Sequence, residues 1–292
     1  MIILCADDYA LTEGVARAVG ELAAARRISA TSALVTTPHW PAMAPRLVVH
    51  RGRVAAGLHL NLTLGGPLGA MPRFAPQGVL PKRHAVVAQA LSGLLPRREI
   101  MAEMERQLDA FERHLGFAPD HIDGHEHMHA LPGIRGCLFA VVARRYPGVK
   151  PLIRDPSDSW NAILARRAAL GKAMAVATLA SGFGAGAQRR GIPTNTGFSG
   201  FSRFDMSEPY AQELARALIE PGPCHIVMCH PGHADAKLAA IDPVVERRRM
   251  EYEALMRDLS LVEGLWRPTR GPDGPPVDWT QVAAPAGAAN PA

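Results

Sequence analysis

Short apolar runs alternate with helical patterns along nearly the whole chain, and this alternation limits the available folds more than any other feature. Runs at residues 2–6, 31–36, 54–60, 120–125, 149–154 and 224–230 have strand character. Between them, apolar residues recur at helical spacing. The clearest case is 97–115, where Ile100, Met104, Leu108, Phe111 and Leu115 fall on one stripe. Gly116 follows as a helix stop, and Pro119 lies just beyond it. Further helices are expected at 13–27, with Thr12 as N-cap, and at 132–145, 160–182, 207–219 and 243–259. Strands separated by helices pair in parallel, with the helices packed outside the sheet. About seven candidate strands approach the number that closes a ring. The expected fold is therefore α/β, a distorted (β/α) barrel of about seven parallel strands with outer helices.

With 292 residues and 48% apolar content, the chain can bury a large core, and no internal repeat divides it. A single barrel is expected over residues 1–266. The Pro/Gly/Ala-rich tail, 267–292, is expected to be disordered. Residues 64–96, rich in Gly and Pro, read as a long loop suited to a lid. The net charge of +5 is scattered over small clusters such as Arg166-Arg167 and Arg247-Arg248-Arg249. No aromatic residues interleave with these clusters, so no nucleic-acid partner is expected. Dispersed cysteines and an amino terminus that enters a strand without a basic leader lead to an expected cytoplasmic location. Residues 168–187 are mostly Ala, Gly, Leu and Val but include Lys172, which argues against a membrane span. A helix lying on the protein or on a bilayer surface fits better, the second placement implying peripheral membrane contact.

The chemistry gathers at the carboxyl ends of the strands, where barrels of this kind carry their reactive groups. Asp7-Asp8 ends the first run, His59 the third, His125 the fourth and His230 the last. Adjacent carboxylates leaving a buried strand repel each other unless a cation or a shared proton relieves them. A divalent ion with open coordination positions needs imidazoles and a carboxylate from different strands, and Asp8, His59 and His125 supply that set. Asp7 is then the candidate general base. Neighbouring strand residues point to opposite faces, which supports separate roles for the two aspartates without showing which takes which. His127 and His129 share the face of His125 if that segment stays extended; metal ligation, a hydrogen bond to a ligand and substrate contact all stay open for them. His230 precedes Pro231-Gly232, a turn that presents it to a cleft, where a protonated ring can donate to a leaving group or stabilise an oxyanion. Asp123 is placed to orient a ligand imidazole through its second nitrogen. Asn61 and Arg154 are candidate substrate contacts. The chain has no P-loop, no dinucleotide fingerprint and no GxSxG elbow.

Four motifs occur in order: Ala6-Asp7-Asp8-Tyr9, Gly57-Leu58-His59-Leu60-Asn61-Leu62-Thr63, Asp123-Gly124-His125-Glu126-His127-Met128-His129 and Cys229-His230-Pro231-Gly232. Together they resemble the YdjC-like carbohydrate deacetylases, a family that includes chitooligosaccharide and hopanoid-associated deacetylases. The resemblance implies a distorted barrel and metal-dependent removal of an acetyl group from an N-acetylated sugar, either an oligosaccharide or a lipid-linked glycan. It places one divalent ion, Mg2+ or Zn2+, on Asp8, His59 and His125, with Asp7 as base and His230 as acid. Tyr9, Ala10 and Glu126 depart from the residues usual there, which are Phe, Gly and His. Two competing readings are another metal-dependent amidohydrolase or phosphoesterase, and a non-catalytic carbohydrate-binding barrel. A homodimer is compatible with all of them.

Overall fold

The structure, a computed structural model, describes residues 1–271 and 273–282. Seven strands form one sheet: β1 (Ile2–Tyr9), β2 (Ala30–Ala33), β3 (Ala55–Leu60), β4 (His121–Gly124), β5 (Leu152–Ile153), β6 (Gly197–Ser199) and β7 (His225–Cys229). Their order is β5-β4-β3-β2-β1-β7-β6, and every pairing is parallel. The sheet curls into a half-barrel with helices around it, as the strand–helix alternation requires. No ladder joins β5 to β6 among the described residues. Ile153 N–H instead donates to Pro193 O at 2.9 Å, and the Asn195 side chain bonds both N–H and C=O of Asp155, at 2.7 and 2.8 Å.

Period-two patterning sorts the residues of each strand. Leu4, Ala6, Ala56, Leu58, Ile122 and Val227 point outward and pack with the helices. Ile3, Cys5, Ala30, Ala55, Leu152 and Met228 fill the inside. Continuing that inner parity toward the carboxyl ends reaches Asp7, Ser32, His59, Asp123, Arg154 and His230. Gly57 also lies on the inner face, where an added Cβ would come within 2.3 Å of the His121 ring. Only glycine lets β3 and that imidazole coexist.

The surrounding helices are α1 (Glu13–Ala24), α2 (Trp40–Val48), α3 (Arg83–Leu91), α4 (Arg97–Leu115), α5 (Ile134–Arg145), α6 (Trp160–Arg166), α7 (Leu170–Leu179), α8 (Phe183–Gln188), α9 (Tyr210–Ala217), α10 (Ala236–Ile241), α11 (Val245–Arg257) and α12 (Trp279–Val282). Thr12 caps α1 by accepting from Val15 N–H. Gly116 ends α4 in the left-handed conformation, φ 78°. The stripe on α4 is buried, each large apolar side chain contributing about 1.5–3 kcal/mol. No helix among the described residues is long and apolar enough to cross a membrane.

Four local expectations change. The strand β6 has only three residues, too few to show a period. The helix expected at 160–182 breaks into α6 and α7 because Arg167 and Ala169 adopt left-handed φ of 51° and 42°. Residues 64–96 contain α3 and are pinned, so they are no free lid. Met71, Phe74 and Leu80 are buried in the core, while Glu103 and Glu99 on α4 accept the N–H groups of Leu68 and Phe74 at 2.9 Å each. The described residues beyond 266, 267–271 and 273–282, pack against the rest of the protein. Trp279 and Val277 are buried among the inner residues of the half-barrel, and Arg270 pairs with both oxygens of Asp120. The rest of the expected disordered tail, 283–292, lies outside the described residues.

Candidate active site

The site begins with an irregularity at the end of β1. The pairing register with β2 shifts between Ala6 and Tyr9, and Asp8 takes a left-handed φ of 66°. This turn removes the parity constraint that would send adjacent side chains to opposite faces. Both carboxylates therefore reach the same end of the half-barrel. Ala10 repeats the left-handed conformation with φ 67°, and Tyr9 secures the bend from beneath by donating its hydroxyl to Met43 O at 2.8 Å.

Asp7 is gripped by Arg154 through two hydrogen bonds of 2.7 Å and accepts a third from the Ser32 hydroxyl at 3.2 Å. Burial alone would raise its pKa, but the guanidinium carries it below the usual carboxylate value. Asp8 divides its oxygens. Oδ1 lies 3.0 Å from His125 Nδ1 and 3.3 Å from His59 Nε2, and Oδ2 lies 2.6 Å from a terminal nitrogen of Arg248. Against burial, Arg248 and then His125 hold its carboxyl well below the ordinary range. The other nitrogen of His59, Nδ1, meets Asp123 Oδ1 at 2.6 Å, while Asp123 Oδ2 meets Arg154 at 2.5 Å. Burial pulls the His59 pKa down, but the Asp123 charge and hydrogen bond outweigh it and raise it to about 10.

One donor atom each from Asp8, His59 and His125 lies within 4.8 Å of the others. Two other triples are equally close, Asp7–His59–Asp123 and Cys5–His121–Asp123. Each of these contains Asp123, whose Oδ1 meets His59 and whose Oδ2 faces the Arg154 guanidinium, and in the triple with Asp7 both oxygens of that carboxylate also face Arg154. The first triple lines the cavity and carries two imidazoles and one carboxylate, a donor set that fits a divalent cation with open positions. Asp123 fixes the His59 ring so that Nε2 is the nitrogen offered to that point.

A cavity of about 770 Å³ stands above these groups. Asp7, Asp8, His59, His125 and His230 form its floor, and α7 forms one wall through Gly171, Ala175, Val176 and Leu179. His230 makes ring contact with Phe204 at 6.0 Å, and its backbone N–H donates to Glu251 at 2.5 Å. Burial, assisted by Arg248, pushes its pKa down to about 4. The segment after His125 is not extended. It turns into a short 3-10 helix with Glu126 and His127 at φ 53° and 60°, so its side chains fan apart. His127 reaches the cavity between Phe198 and Phe201, with Nδ1 buried and unbonded, and burial pushes its pKa down to about 3. His129 turns beneath and bonds Arg154 O at 2.8 Å.

Two expected substrate contacts are corrected. Asn61 is 0% exposed, and its amide is consumed by Thr36, Leu64 and Thr63 in shaping its own turn. Arg154 is also 0% exposed, and its charge is spent on Asp7 and Asp123. Sequence reading missed Ser32 and Arg248. Ser32 is a hydroxyl at inner parity in an apolar strand, a signal that was available. Arg248 stood in a run of three arginines, where only burial separates it from exposed Arg249.

A family model described as YdjC-like protein matches residues 1–259. Chitooligosaccharide deacetylases are similar over part of the chain. That of Enterobacter sp. (strain 638) is 32% identical over 148 residues, covering 50% of this chain and 56% of the relative. That of Escherichia fergusonii is 34% identical over 145 residues, covering 49% and 54%. These matches thus span about half the length of the curated relatives. A solved structure from Enterococcus faecalis V583, named provisionally for cellobiose-phosphate cleavage, superimposes with a TM-score of 0.66 at 22% identity, covering 89% of this chain and 91% of the other. It shares the fold.

Proposed function

Since the chain belongs to the YdjC-like family, we propose that it is a carbohydrate N-deacetylase, hydrolysing the acetamido group of an N-acetylated saccharide with the help of one divalent cation on Asp8, His59 and His125. The observation that carries this reading is the convergence of that triple with Asp7 and His230 on the floor of one cavity. Deacetylase names among the similar proteins support the choice of bond. Two imidazoles to one carboxylate suit zinc better than magnesium.

A bound cation supplies Lewis acidity toward the acetyl carbonyl. The remaining work falls to the chain's own groups. Asp7 stays ionised because Arg154 holds its charge, so it meets the attacking water as a proton acceptor. As the water oxygen bonds to the carbonyl carbon, its proton passes to Asp7. The C–N bond then breaks, acetate leaves, and the amine nitrogen takes a proton from His230. Because His230 rests neutral, the proton that Asp7 takes from the water must pass to it before the C–N bond breaks, and the acetic acid formed releases its own proton to solvent as acetate. Apolar α7 leaves space beside the floor for a substrate with a non-polar portion, so lipid-linked sugars belong beside soluble ones as candidates.

Acetate release from a panel of N-acetylated soluble and lipid-linked saccharides tests the proposal. Release is expected from at least one class, to stop with chelator and to return with Zn2+ or Mg2+. Undiminished release after chelation, or binding of saccharide with no acetate from any panel member, would refute it.

A further inference from the structure

Asp8 sits in a left-handed turn outside the regular ladder, so its backbone alone does not set the direction of its carboxylate. One guanidinium does. Arg248, 240 positions away on α11, places one terminal nitrogen 2.6 Å from Asp8 Oδ2, and its Nε lies 2.6 Å from Asp242 Oδ2. The side chain is 5% exposed and clamped between two carboxylates, one on the β1 bulge and one in the connection from α10 to α11. We propose that Arg248 is a positioning residue that restricts Asp8 to a one-oxygen metal ligand, keeping Oδ2 engaged so that only Oδ1 faces the imidazoles of His59 and His125. This rests on the cation site proposed above.

The geometry makes a specific chemical difference. A free carboxylate can close both oxygens on a cation and use up a coordination position that substrate and water need. One guanidinium N–H on Oδ2 prevents that while Oδ1 remains available, and the planar group is held in place because its Nε is engaged by Asp242. The same helix carries Glu251 one turn further on, where it accepts the backbone N–H of His230. Seating of α11 thus sets the metal-ligand carboxylate and the opposite His230 together. A second account treats Arg248 as a simple positive charge beside the site. On that account its removal strengthens cation binding, because a repulsive charge is lost.

Cobalt(II) added alone to the purified full chain distinguishes the accounts, through calorimetric affinity and the visible spectrum of the bound ion. Arg248→Gln is expected to bind Co2+ about tenfold more weakly or worse, with a weakened, shifted spectrum that marks a higher coordination number. Arg248→Lys keeps the charge but lacks the planar fork, and should resemble Arg248→Gln. Asp242→Asn leaves the guanidinium intact but loosens it, and should shift the spectrum in the same direction by less. It also serves if Arg248→Gln does not fold. Wild-type affinity and spectrum in Arg248→Gln or Asp242→Asn, tighter binding in Arg248→Gln, or a wild-type spectrum in Arg248→Lys would each overturn the positioning role alone. Failure of the wild-type protein to bind Co2+ would overturn it together with the cation site beneath it.

Discussion

Asp7 shows how one residue can be both reactive and structural. Its carboxylate is the proposed proton acceptor, yet it is also half of a buried pair with Arg154. Asp7→Asn keeps the shape and leaves Arg154 paired with Asp123. Stability is expected to fall by about 3 kcal/mol, the lower end for breaking a buried pair. Turnover should fall about 10²–10⁴-fold while cation binding persists, measured by acetate release and calorimetry. Full activity in this variant would remove Asp7 from the mechanism. The buried histidines make a second residue-scale prediction. His129, His225 and His230 have pKa values pushed down to about 4, and His127 to about 3, by burial. In the unfolded chain these groups titrate near 6.5, so between pH 6.5 and 4 the unfolded state binds more protons and stability falls as pH falls. His59 has the opposite sign. Raised to about 10, it contributes fully below 6.5 and loses that contribution as pH climbs toward 10. The thermal midpoint of cation-free protein should therefore peak near pH 6.5 and decline on both sides. A midpoint flat from pH 6.5 to 4 would show these imidazoles to be solvated.

At the scale of elements, the bulge ending β1 creates the site. It brings Asp7 and Asp8 to one side at the cost of two non-glycine residues in left-handed backbone, Asp8 and Ala10. Asp8 is retained for its carboxylate, whereas the methyl of Ala10 only packs in the core. Relief of left-handed strain is worth about 1–2 kcal/mol, partly offset by the greater freedom of glycine in the unfolded chain. With about 0.8 kcal/mol of methyl burial also lost, Ala10→Gly is expected to stabilise by no more than about 0.5 kcal/mol, read as a slightly higher urea midpoint. A lower midpoint would mean that the conformation is not strained. The elements were unequally legible. Helix α4 was readable to the residue because a long stripe and a glycine stop agree. The strand β6 was invisible, since three residues hold no period, and the segment 125–130 looked like an alternating strand because His125, His127 and His129 are spaced by two. Its left-handed residues follow from tertiary packing, which propensity does not report.

For the molecule as a whole, the described residues after 266 form a plug. Trp279 is 2% exposed, lies tilted against Trp266 and donates its indole N–H to Asp120 O at 2.5 Å. Asp120 also accepts Ala56 N–H at 2.8 Å, so the segment is tied through Asp120 to the start of β3. The inner face there is lined by small residues, Cys5, Ala30 and Ala55, which leave the room that Trp279 fills. Trp279→Ala should cost about 3–5 kcal/mol, and removal of 267–292 at least as much, measured by denaturant unfolding. An unchanged midpoint in the truncated chain would show the segment to be dispensable.

The sequence by itself determined the parallel α/β architecture and the gathering of carboxylates and imidazoles at the strand ends, because periodicity and residue type are local properties that survive without coordinates. It also carried the inner parity that leads from Cys5 to Asp7 and from Gly57 to His59. Only the tertiary structure decided which polar groups are free. Asn61 is spent on its own turn, Arg154 is closed between two aspartates, and Arg248 arrives from a distant helix to hold Asp8. Those outcomes depend on register, curl and the bulge, which bring together atoms more than a hundred residues apart. No pattern along the chain encodes such distances, since a carboxylate reads the same in sequence whether its partner is a guanidinium, a cation or water.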